Sequence, residues 1–159
     1  MLLARVIHVD DSDRHVFASP ARTGEWAISG GWEFSNWTQA DLTGKPRQAF
    51  ANGWLGLESW GRATFIAVTR IQPDEYAALE TALADHFVAF YGAPDRAVAL
   101  PTAQAELAHM ADLCADHDPN TVLAVARELT PAGVRETYHA IRAQAAQLDQ
   151  FAIHASPDD

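Results

Sequence analysis

Cysteine and lysine are almost missing from this 159-residue chain, which has one of each, Cys114 and Lys45. A lone cysteine excludes an intramolecular disulfide framework and is compatible with a reducing compartment. Cations of any kind are scarce, 11 against 21 acids for a net charge of −10. Nucleic acid is therefore not an expected partner, because phosphate binding needs clustered cations on an accessible face. Long apolar runs are lacking too. Nothing approaches the ~20 residues a membrane helix requires. The run from Met1 to Asp10, interrupted by Arg5 and His8, is too short for a signal-peptide core. We expect a cytoplasmic protein with no membrane partner. There is no Gly-x-Ser-x-Gly elbow, phosphate-binding loop, dinucleotide fingerprint or paired metal-ligand motif, so no catalytic residue, metal or cofactor is assigned.

What remains is 48% hydrophobic and 20% charged, enough for one globular domain that buries roughly two thirds of its unfolded surface. Charge is unevenly spread. Residues 1–71 hold seven acids and seven bases, while 72–118 hold nine acids and only Arg96. The acidic middle favours solubility and repels anionic membranes.

Ala4–Val9 reads as a strand closed by the turn-forming run Asp10–Asp13, with a second short strand over His15–Ala18 and a loop over 19–24. Glu25–Phe34 alternates with Trp26, Ile28, Gly30, Trp32 and Phe34 on one side, the pattern of a half-buried strand. Gly30-Gly31 suggests a bulge or a close backbone approach within it. Pro46–Asn52 fits a short helix ended by a left-handed Gly53, and Ala63–Ile71 a further strand. Pro73-Asp74-Glu75 opens the best helix, with Tyr76, Leu79, Leu83, Phe87 and Phe90 on one stripe and Gly92 as its stop. A second helix spans about Thr102–Asp116. Thr121–Leu129 and Val134–Ile141 read as strands joined by Thr130-Pro131-Ala132-Gly133, a type I turn with a bulge. A competing helical stripe runs from Val134 to Phe151.

The expected architecture is α+β, a mostly antiparallel sheet with two main helices packed on one face. A single domain over 1–143 precedes a tail over 144–159 that is partly helical and then disordered.

All five tryptophans lie between Trp26 and Trp60, and the only lysine lies in the same stretch. Lys45, Arg47 and Arg62 with a single nearby acid, Glu58, make a locally positive patch beside Trp54 and Trp60. Arginine contacts and an indole wall suit a small anionic ligand; the alternative is that the glycines of this segment permit tight turns, the tryptophans fill a core corner and Glu58 pairs with Arg62 or Arg47. His109, Asp112 and His117, with Cys114 and Asp116, raise a metal or acid/base alternative. Cys114 falls roughly 130 degrees from His109 around the helix, so these groups do not converge unless the helix ends early. Glu25 and Glu33 could form a carboxylate pair or an exposed sheet face.

The segment Gly44–Phe65, ending Leu55-Gly56-Leu57-Glu58-Ser59-Trp60-Gly61-Arg62-Ala63-Thr64-Phe65, resembles the central block of a small, mostly alphaproteobacterial family labelled as a domain of unknown function. The likeness extends to His86-Phe87-Val88 and the carboxy-terminal hairpin, whereas the chain after Ala143 is longer than the family's usual end. The resemblance implies a cytoplasmic bacterial protein and carries no activity or cofactor. The functional expectation is a non-catalytic binding or accessory protein that uses Lys45, Arg47, Trp54, Glu58, Trp60 and Arg62 to hold a small anionic molecule or a protein partner. The alternatives are a small enzyme around His109, Asp112 and His117, and a structural homodimer formed through exposed strand edges.

Overall fold

The computed structural model of the chain describes residues 1–141. Strands β1 (Leu2–Ile7), β2 (Trp26–Ile28), β3 (Trp54–Gly56), β4 (Arg62–Ala63), β5 (Phe65–Arg70), β6 (Val122–Thr130) and β7 (Gly133–Ile141) form one sheet in the order β4-β3-β2-β1-β5-β6-β7. Every neighbouring pair is antiparallel. Among the described residues four α-helices, α1 (Ser12–Val16), α2 (Gly44–Asn52), α3 (Pro73–Phe90) and α4 (Arg96–Ala115), complete the α+β arrangement. The sheet curls, so the Trp54 indole N–H on β3 donates to Leu123 O on β6 at 3.2 Å.

Local chemistry accounts for most of these elements. Glu75 accepts a hydrogen bond from the Gln72 N–H at the start of α3, and Gly92, with φ 77°, turns the chain beyond its end. The stripe buries Leu83, Ala84 and Phe87, but Phe90 is 72% exposed. Helix α4 starts earlier than its periodicity indicates, because the Asp95 carboxylate caps it by accepting from the Val98 N–H at 2.9 Å. That cap carries the helix through Pro101, which would otherwise end it. Its inner face buries Ala99, Ala103, Leu107, Met110 and Cys114. α3 packs on α4, α4 lies against β1 and β2, and α2 lies against β6.

The β6–β7 hairpin follows the expected turn, with Thr130 opposite Gly133 and Gly133 at φ 119°. Val134–Ile141 is therefore strand and not helix. The remainder of the competing stripe, and the boundary expected after 143, lie outside the described residues.

Three local expectations are corrected. His15 and Val16 belong to α1, held by the buried Asp13 carboxylate, which accepts from the Thr64 hydroxyl at 2.6 Å. The strand from Glu25 ends at Ile28. Gly30 takes φ 69°, where a Cβ would stand 2.5 Å from Leu55 Cβ, and the chain turns into a 3-10 helix over Gly31–Phe34. Gly53 has φ −91°, so its absent side chain serves close approach to Ala49 O and Arg62 Cβ rather than a left-handed turn.

Candidate functional site

The six residues of the tryptophan-rich segment separate into three groups. Lys45, Trp60 and Arg62 line one hollow of about 300 Å³, together with Glu33, Phe34 and Trp37. Trp54 is completely buried, stacked on Tyr138 with ring centroids 5.9 Å apart. Glu58 turns outward to Arg22, and Arg47 is exposed on α2 away from the hollow. Lys45 and Arg47 diverge because two positions along a helix differ by about 200 degrees.

Arg62 is 5% exposed and works as an internal bracket. Its Nη1 donates to Ser29 O and Gly53 O, and its Nη2 to Gly30 O and to Glu33 Oε1 at 2.5 Å. Burial pulls this guanidinium down to about 10, Glu33 opposing and Arg127 adding to the fall; it remains charged at neutral pH. Arg127, 6% exposed, enters from β6. It donates to Ser29 O, Phe50 O and Gly53 O, and its Nε to Glu136 Oε2. Both guanidinium groups lie over the Phe34 ring, at 4.7 and 5.2 Å from its centroid, a cation–π arrangement.

The hollow beside this bracket has an aromatic wall. Trp37 meets Phe34 edge to face and stacks on Phe50. Trp60 stacks on His86 at 3.7 Å between centroids. Its φ is 61°, a backbone state rarely taken by a bulky residue and one that must be held by its surroundings. Glu25 does the holding. It accepts from the Glu58 and Ser59 N–H groups and the Ser59 hydroxyl. Burial pushes its carboxyl up, but the hydrogen bonds from Ser59, Arg22 and Glu58 outweigh that and leave it below the usual range. Glu25 and Glu33 are thus committed to different partners. Lys45 is exposed and forms no ion pair among the described residues.

A larger cavity, about 470 Å³, opens between α4 and the β6–β7 hairpin. Its walls include Ser29, Trp32, Glu106, His109, Glu136 and Tyr138. Glu136 is the hub. It accepts from the Ser29 hydroxyl at 2.7 and 2.8 Å, from Arg127 at 2.7 Å, and from the Tyr138 hydroxyl. Burial raises this carboxyl, yet Arg127 and the hydrogen bonds of Tyr138, Arg127 and Ser29 bring it below its ordinary value. Tyr138 is pushed up by burial and by Glu136, so it stays a phenol. Its one proton is given to Glu136, which leaves its oxygen to accept from His109 Nε2 at 2.9 Å and fixes the imidazole tautomer. Glu106 is raised by burial, with His109 opposing and Glu136 adding.

Of the three residues of the enzyme alternative, His109 lines this cavity while Asp112 and His117 do not. Among the described residues no group of three or more His, Cys, Asp or Glu is placed to hold a metal ion. Cys114 is buried and its thiol is pushed up to about 12 by desolvation. Sequence reasoning passed over Arg127, Glu136, Tyr138 and Glu106. The available signal was register: Leu123 and Val125 face inward on β6, and a period of two puts Arg127 on the same side.

Residues 1–159 match the family model described as a family of unknown function (DUF6505), and the chain belongs to that family; the match extends past Ala143 to residue 159, which corrects the expectation that this part of the chain runs beyond the family's usual end. No curated protein and no solved structure matches it. Among the described residues no helix is long and apolar enough to cross a membrane.

Proposed function

We propose that the protein is a small non-catalytic binding protein, and that the hollow flanked by Lys45, Trp37 and Trp60 receives a small anionic ligand with a flat apolar body. One observation carries this reading: the only lysine of a strongly acidic chain stands at the edge of an aromatic-walled hollow with no ion-pair partner among the described residues. Arg62 contributes positive potential from below, but its Nη donors are already engaged. Direct contact therefore falls to Lys45, whose flexible ammonium serves as a point charge. The indole faces supply apolar area at low entropic cost. Arg62 and Trp54 belong to the framework of the site.

The experiment is a titration of the protein with benzoate, read by tryptophan fluorescence. Saturable quenching is expected. Lys45→Ala should weaken it by about tenfold, the scale of one lost ion pair, and Lys45→Arg should retain it. Equal affinity in the parent and Lys45→Ala proteins would remove this hollow as the site.

A further inference from the structure

We infer that the cavity between α4 and the β6–β7 hairpin is a second, separate site, one that takes a small organic cation, an ammonium or amidinium group on a flat apolar body, with Glu106 as its counter-ion. The argument is a balance of donors and acceptors. Around this cavity the donors are consumed internally. The hydroxyls of Ser29 and Tyr138 and the Nε of Arg127 all point at Glu136. His109 Nε2–H is spent on the Tyr138 oxygen. What is left is acceptor capacity: the Glu106 carboxylate, which receives no hydrogen bond among the described residues, and, in the neutral imidazole, the Nδ1 lone pair of His109. A cavity with surplus acceptors and no spare donors selects a donor-rich ligand.

Charge points the same way. Glu106 and Glu136 bring two negative charges to the walls, and the one buried cation beside them, Arg127, is engaged by Glu136 and by main-chain carbonyls. An anion would meet an unpaired carboxylate. A bare metal ion would lack ligands, since no cluster of three exists among the described residues. Trp32 and Val134 supply an apolar wall, on which an organic cation gains dispersion and cation–π attraction. The volume of about 470 Å³ falls within the ~300–1,000 Å³ of small-molecule sites. The one buried side-chain donor without an acceptor among the described residues, Trp32 Nε1, lies near the Tyr91 hydroxyl. Tyr91 lines a neighbouring apolar hollow rather than this cavity, so that N–H does not disturb the balance.

The test uses the full chain at neutral pH with two probes of one shape: benzylamine and benzyl alcohol. Calorimetry should show saturable binding of benzylamine, with benzyl alcohol at least about tenfold weaker. Benzylamine should shift the imidazole NMR signals of His109. Glu106→Gln, which keeps the shape and removes the charge, should lower benzylamine affinity by at least about tenfold and leave benzyl alcohol unchanged. Lys45→Ala should leave benzylamine binding intact, so failure at the Lys45 hollow and failure here are read separately. The inference is overturned if benzylamine does not bind saturably, if benzyl alcohol binds as tightly as benzylamine, if Glu106→Gln binds benzylamine unchanged, or if His109 does not respond at saturation.

Discussion

Arg62 and Arg127 donate to the same two carbonyl oxygens. Ser29 O receives Arg62 Nη1 at 3.2 Å and Arg127 Nη2 at 2.6 Å, and Gly53 O receives the two Nη1 groups at 3.1 and 2.9 Å. Two like charges sit side by side in the interior because carbonyl dipoles, the Phe34 face and the carboxylates of Glu33 and Glu136 surround them. Glu33 and Glu136 each neutralise one of the pair.

Removing either arginine takes the guanidinium from its own carboxylate and its unshared carbonyl, Glu33 and Gly30 O for Arg62 or Glu136 and Phe50 O for Arg127. Arg62→Ala and Arg127→Ala should each lose about 3–5 kcal/mol in urea unfolding, the scale of a broken buried ion pair. Lysine should not rescue either position, because one ammonium cannot span the same carbonyls. The double variant should lose more than the sum, since each single deletion relieves the same repulsion and leaves the shared carbonyls to the other arginine, and only the double leaves them without a donor. Strict additivity would show that the two act independently.

Gly31 touches the Glu136 carboxylate so closely that an added methyl group would overlap it. Gly31→Ala should cost about 1–3 kcal/mol by overpacking. It should also displace Glu136 from Tyr138, and so move the imidazole NMR signals of His109. Unchanged His109 signals in a destabilised Gly31→Ala protein would disconnect the imidazole from this chain of hydrogen bonds.

Trp60 inverts an ordinary expectation about glycine. Its φ of 61° penalises every residue with a Cβ, so Trp60→Gly should be more stable than Trp60→Ala by about 1 kcal/mol. Both lose the stack on His86. Burial holds His86 below its usual value, with Glu33 opposing, and the imidazole should move back toward that value as water reaches it. A Trp60→Ala protein as stable as Trp60→Gly would mean the backbone relaxes there at no cost.

Glu106 should show opposite effects on stability and binding. Its carboxyl is raised in the folded protein, chiefly by burial, so the folded state takes up the proton more readily than the unfolded chain and ionisation at neutral pH costs stability. Glu106→Gln should therefore melt higher than the parent at neutral pH while losing cation affinity. The advantage should shrink as pH falls and vanish below the ordinary value of 4.5, where both states are protonated. A variant that melts lower at neutral pH would instead give Glu106 a structural partner.

Cys114 is buried, with its thiol pushed up to about 12 by desolvation. Thiolate is the reactive species, so a disulfide reagent at neutral pH should label the native protein only as fast as α4 opens. Labelling should accelerate with urea in step with unfolding. Rapid labelling without denaturant would place the sulfur at the surface.

Much of this arrangement was legible in the chain because its causes are local. The stripe through Leu83 and Phe87 and the Pro131–Gly133 turn determine their elements within a few residues. The end of β2 was not legible. Alternation from Glu25 to Phe34 is genuine, but Gly30 turns where Leu55, distant in sequence, leaves no room for a side chain. The start of α4 was hidden by Pro101, whose cost reads plainly while the Asp95 cap that offsets it does not. Lys45, Trp60 and Arg62 do meet at one hollow, whereas Arg47, Glu58 and Trp54 point elsewhere. The Arg127–Glu136–Tyr138–His109 chain joins α4 to a hairpin, and no spacing rule connects those segments.

The paired guanidinium groups also bear on the order in which the chain can assemble as it is synthesised. Ser29, Phe50 and Gly53 leave the ribosome long before Arg127, so the Ser29 and Gly53 carbonyls initially have Arg62 alone to face and the Phe50 carbonyl has neither arginine. An amino-terminal fragment stopping short of β6 would have a half-filled socket, and it should wait as a loosely organised intermediate until the last hairpin arrives and locks it.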